Sequence, residues 1–133
     1  MNSPSAPYGA LLLRVALGIV LIAHGLLKLL VFTLPGTAEF FVSVGFPGWL
    51  AYVVTFGELL AGALLIVGFQ VRPVAGLMVI ELLGAASVHM HNGWVFDSKN
   101  GGWEYPVFLA AASAAVALLG AGAHSLDSRR ANA

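Results

Sequence analysis

Apolar residues run along this chain in long blocks separated by short polar stretches. A helix needs about 20 mainly apolar residues to cross a hydrocarbon core about 30 Å thick. Four blocks reach or approach that length: 8–30, 49–69, 73–89 and 105–121. The third and fourth are short and are expected to stand nearly upright. No ten-residue alternating segments recur, so the pattern of a membrane β-barrel is missing. The expected fold is all-α: a transmembrane four-helix bundle forming one domain over residues 1–133.

The connections differ in kind. "GFQVRP" predicts a tight hairpin, with Gly68 stopping one helix and Pro73 opening the next. "LPGTAEFFVSVGFPGW" predicts a short interfacial helix in the first loop, capped by Thr37, running through Val44 and ended by Gly45 and Pro47. Phe40, Phe41 and Phe46 would rest at the membrane interface. "HNGWVFDSKNGGWEYP" is a polar loop. Trp49, Trp94 and Trp103 fall on one side of the bundle, as an aromatic belt would. Residues 122–133, "GAHSLDSRRANA", are expected to be a flexible tail.

Composition agrees with a lipid environment. The hydrophobic fraction is 59% and only 9% of residues are charged, against about 25% in soluble domains. The mean hydropathy is +0.92. The N-terminus lacks the basic region of a signal peptide, so the first block is expected to be a retained span. Arg14, Arg72, Arg129 and Arg130 lie toward the side of the termini, and Lys28 and Lys99 toward the other. That bias predicts a multi-pass protein with both termini cytoplasmic. The absence of cysteine excludes disulfides, thiolate ligands and iron–sulfur clusters. A net charge of zero gives no electrostatic case for nucleic acid.

Within so apolar a chain the remaining charges stand out. A charge at lipid depth costs roughly 2.5–3.5 kcal/mol on insertion scales. Arg14, His24 and Lys28 fall within an arc of about 80° on the first helix, beside Gly18 and Gly25. Glu58 shares a face with Ala51, Thr55 and Gly62, and Glu81 with Ala85 and His89. Faces that are both polar and small are expected to meet other helices. By depth, Arg14 lies roughly 9 Å and Glu58 roughly 16 Å from the side of the termini. Two clusters are therefore expected: a buried one of Arg14, Glu58 and Glu81, and an outer one of His24, Lys28, His89 and Glu104. A purely structural reading stands beside this. Arg14 and Glu58 would then be an interhelical ion pair, Glu104 a carboxylate favoured by a helix dipole, and Lys28 a lysine reaching for head groups.

The stretch "VHMHNG" raises metal binding. Residues two apart on a helix point about 200° apart, so His89 and His91 share an ion only if the helix ends between them. A haem between His24 and His89 fits by depth alone. The favoured reading puts His89 in the outer cluster and His91 at the start of the loop, with no metal site. No catalytic set is assigned.

Taken together, "LLLRVALGIVLIAHGLLKL", "GTAEFFVSVGFP", "FGELLAGALLIVGFQVRP", "VHMHNG", "NGGWEYP" and "LLGAGAHSLD" resemble the DoxX family of small bacterial membrane proteins. The resemblance covers nearly the whole chain and implies a four-helix membrane bundle in the cytoplasmic (inner) membrane of a bacterium. It places Arg14, His24, Gly25, Lys28, Glu58, Gly62, Arg72, His89, Asn100, Gly101 and Glu104 on the family's recurrent polar and glycine positions. Glu81 matches none of them. The family is named after a subunit of an archaeal quinol-oxidising or thiosulfate:quinone oxidoreductase complex, and other members are linked to oxidative-stress complexes. The resemblance thus implies an accessory subunit of a quinone-linked redox complex, with quinone at the outer cluster and a redox or other membrane protein as partner. A membrane scaffold without catalysis and a small proton-coupled transporter are the alternatives, and a homo-oligomer is compatible with each.

Overall fold

The structure is a computed structural model that describes residues 3–133. It contains helices and no strands among those residues. Helix α1 covers Ala6–Leu26 and continues through one wider turn, Leu27–Val31. Helix α2 covers Leu34–Ser43, α3 Trp49–Val67, α4 Val71–His89, α5 Glu104–Leu119 and α6 Leu126–Ala131. α1, α3 and α4 are each long and apolar enough to cross a membrane. α5 has 16 residues, about 24 Å of rise, and packs along α4 as the fourth member of the bundle.

The bundle is two close pairs, α1 with α3 and α4 with α5. Glycines set the first pair. A Cβ placed on Gly18 would lie 2.7 Å from the Gly62 carbonyl oxygen, and one on Gly62 would lie 2.6 Å from that of Gly18. The two backbones therefore touch where they cross, as small residues allow between membrane helices. Leu17, Leu21, Leu65, Val71, Met78, Leu82, Leu109 and Val116 form the apolar core between the pairs. Direct packing of α3 on α4 is much sparser, which leaves a seam between them.

The α3–α4 hairpin turns through two left-handed residues, Gly68 at φ 76° and Gln70 at φ 51°. α4 then opens at Val71, two residues before Pro73. Proline is tolerated there because first-turn N–H groups have no helical partner.

Two local expectations need correction. The cap of the interfacial helix is Thr33, whose hydroxyl accepts from the Gly36 N–H at 3.2 Å. Thr37 lies one turn inside the helix and donates to the Thr33 carbonyl at 2.8 Å. The expected flexible tail, 122–133, instead carries α6 and docks on the bundle. Ser125 caps α6 by accepting from the Ser128 N–H. The Asp127 carboxylate accepts from the N–H groups of Gln70 at 2.9 Å and Val71 at 3.0 Å. An anion at a helix N-terminus satisfies free donors and the helix dipole together; here it ties the tail to α4.

Candidate functional site

Arg14 is fully buried, and its partners are all backbone. Its Nε donates to Ala121, one terminal nitrogen to Leu65 and Ile66, all at 2.7 Å, and the other to Ala123 and His124 at 2.9 Å. A guanidinium has five N–H donors, and all five are used. Leu65 and Ile66 end α3, whose last carbonyls lack helical partners, and the other three acceptors lie in the turn after α5. Arg72 does the same for α5, donating to the carbonyls of Ala117 and Leu118 at 3.1 and 2.8 Å.

The expected Arg14–Glu58 pair is therefore absent, and Arg14 does not join the carboxylates. Leu65 lies seven residues beyond Glu58 on α3, about 10 Å along the axis. The carbonyls at the helix end are the nearer acceptors. Glu58 instead accepts from the Lys28 ammonium at 2.9 and 3.2 Å. The Glu58 side chain is 4% exposed and that of Lys28 20%. Lys28 lies in the wide turn that ends α1, where the Phe32 N–H bonds five residues back to the Leu27 carbonyl at 3.0 Å. Such π-turns recur at functional positions. Nothing in the spacing of apolar residues announces this one.

Glu81 comes from α4 to stand beside Glu58. Its Oε2 is buried and has no hydrogen-bond partner. His24 lies one turn before Lys28, with its ring edge-on to that of Tyr105 at 5.9 Å between centroids. These groups from four helices line one cavity of about 680 Å³. α2 roofs it with Phe40 and Phe41, joined by Phe46 from the following loop, while the apolar walls belong mainly to α3 and α4. Val53, Leu77 and Ile80 line the cavity and also lie on the exposed apolar surface, so the α3–α4 seam opens it sideways toward lipid. Gly57 and Gly84 widen that seam; a Cβ at either would touch nothing within 4 Å.

The expected clusters are thus regrouped: Glu58 and Glu81 share the cavity with His24, Lys28 and His89. Glu104 opens α5 outside the cavity lining. His89 borders the cavity while its Nδ1 sits 3.1 Å from the Asn100 carbonyl oxygen, which also accepts from Asn92 at 3.2 Å. That arrangement fastens the α4–α5 loop to the end of α4. His91 is exposed in the turn Met90–Asn92. Tyr105 and the roof phenylalanines, which the polar pattern did not single out for the site, are part of its wall.

Comparison with known proteins gives the family. The DoxX family model matches residues 9–92, from α1 to the turn after α4. The chain is 31% identical over 131 residues to the inner membrane protein YphA of Escherichia coli (strain K12), covering 92% of this chain and 91% of YphA. It is 43% identical over 77 residues to the Bacillus subtilis (strain 168) protein named "Putative oxidoreductase CatD". That match covers 58% of this chain and 56% of CatD, so it spans little more than half of the relative. No solved structure matches. A family match over most of the chain, a full-length inner-membrane relative and a bundle of apolar helices agree: this chain is a multi-pass bacterial membrane protein and belongs to the DoxX family.

Proposed function

We propose that this chain is a quinone-binding accessory subunit of a membrane redox complex. The observation that supports the reading is the cavity, apolar along its walls, polar at one end and open to lipid through the α3–α4 seam. Its volume of about 680 Å³ falls in the range of roughly 300–1,000 Å³ usual for small-molecule sites. Quinone turnover needs groups that give and take protons beside an apolar wall. Glu58, Glu81, His24 and Lys28 are such groups, gathered at the polar end. The chain has no cysteine, and in this reading the electron-carrying centre belongs to a partner protein. The oxidoreductase name of the Bacillus relative agrees in kind.

The test is retention of quinone by protein purified in lipid nanodiscs, followed by titration with a short-chain quinone. About one quinone per chain is expected. Gly84→Leu should weaken retention about tenfold, because the new side chain grows into the cavity without meeting a neighbour. Parent protein that takes up no quinone, or a Gly84→Leu protein that binds it as well as the parent, would overturn the reading.

A further inference from the structure

Without a proton on Glu81 the charges in the cavity do not balance. Two carboxylates, Glu58 and Glu81, stand side by side with one ammonium, that of Lys28. Lys28 is directed to Glu58, with its nitrogen 2.9 Å from Oε2 and 3.2 Å from Oε1. Glu81 is left without a counter-ion of its own, and its Oε2 is buried with no donor. The other titratable groups lining the cavity with it are Glu58 from α3, Lys28 and His24 from α1 and its wide last turn, and Tyr105 from α5, with His89 on its own helix. None of these is a second fixed cation at Glu81. The rest of the lining is apolar or aromatic, with Phe40, Phe41 and Phe46 in the roof. A deprotonated carboxylate without a counter-ion, in a cavity that aromatic side chains also line and in a low dielectric, is the chemistry that recognises a positive charge carried on apolar groups. The seam toward lipid is the route by which a membrane-soluble molecule reaches it.

We infer that the cavity binds lipophilic monovalent cations, quaternary ammonium or phosphonium compounds, with Glu81 as counter-ion and the roof phenylalanines against the cationic head. Protons compete for the same carboxylate, so binding exchanges with protonation. The inference does not rest on the redox reading, since cation binding and quinone binding can each hold or fail alone; where both hold, the two ligands exclude one another from one cavity.

The probe is tetraphenylphosphonium, titrated into the full chain in nanodiscs, with neutral triphenylphosphine oxide as the uncharged control of similar bulk. The phosphonium should bind at least about tenfold tighter than the neutral compound. Its affinity should fall as the pH is lowered from about 8 to about 5, because protons take the carboxylate. Glu81→Gln should weaken the phosphonium about tenfold, leave the neutral compound unchanged and flatten the pH profile. Equal binding of charged and neutral probes, or a Glu81→Gln protein that binds the phosphonium like the parent, would overturn the inference. If Glu81→Gln does not fold, the pH profile of the parent decides, and a flat profile there is the overturning result.

Discussion

The two ends of this bundle hold buried charge in opposite ways. At the end that carries the termini, Arg14, Arg72 and Asp127 are all directed to backbone. Arg14 uses all five donors on carbonyls, Arg72 closes the last turn of α5, and Asp127 caps the first turn of α4. At the other end, Lys28 and Glu58 satisfy each other, and Glu81 retains an oxygen with no partner beside a cavity. The lesson is that the mere presence of a charge at membrane depth does not mark a site. Saturated charges at helix ends hold the fold, where the helix dipole favours cations at C-termini and anions at N-termini. Unsaturated charges facing open space are the ones available to a ligand.

The largest effect should come from the saturated end. Arg14→Ala leaves five carbonyls without their donor. The loss is expected to reach several kcal/mol, since each buried carbonyl left without its donor costs about 1–3 kcal/mol. A steep fall in the detergent melting temperature is the readout. Arg14→Lys should recover only part of it, since an ammonium has three donors and no planar fork. Combining Arg14→Ala with Glu58→Ala should give additive losses, because the two groups share no partner. A double mutant more stable than the Arg14→Ala single would restore the ion pair that the spacing alone suggested.

A smaller effect belongs to the cavity end. Lys28→Met leaves the Glu58 carboxylate without its donor, which is expected to cost about 1–3 kcal/mol. Lys28→Met with Glu58→Gln should regain much of that stability, because the uncompensated charge is gone. Ligand retention should not return with it. This split between stability and binding is what separates the cavity end from the terminus end. A double mutant that recovers both would make Lys28 and Glu58 a structural pair only.

The helices were legible because lipid imposes length and apolarity, and both are written directly in blocks such as 8–30. That the small faces carrying Gly18 and Gly62 would meet other helices was legible too; that they cross each other was not. The partner of Arg14 was not legible. Every residue has a carbonyl, so an arginine that binds five of them has no complementary residue type to find. Depth alone then pointed to Glu58, the nearest carboxylate along the membrane normal. The wide turn at Lys28 was hidden for a similar reason, since a change from four-residue to five-residue hydrogen bonding leaves the apolar block unbroken. The meeting of Glu81 with Glu58 was legible, since both were expected in one buried cluster; the cavity beside them was not, because the seam between two helix pairs is a property of packing.

The smallest effect concerns Asp127, and it tests whether the tail belongs to the saturated end at all. Composition alone reads 122–133 as frayed chain, with small and polar residues and a terminus nearby. In the folded protein the Asp127 carboxylate receives two N–H groups at the start of α4, and the Asp127 N–H in turn donates to the Gly68 carbonyl at 2.9 Å. The α3–α4 turn and the tail are therefore one hydrogen-bonded unit. Asp127→Ala removes the side-chain half of it and keeps the backbone half. Loss of an N-cap costs typically about 1 kcal/mol, so the melting temperature should fall slightly while the bundle stays intact. Amide exchange should report the change locally: Gln70 and Val71 lose protection, and the α1–α3 crossing at Gly18 and Gly62 does not. Asp127→Asn, whose side-chain amide retains one acceptor oxygen, should fall between the parent and Asp127→Ala. Unchanged exchange at Gln70 and Val71 in Asp127→Ala would mean that the tail only rests against α4, and that the cap on that helix comes from water.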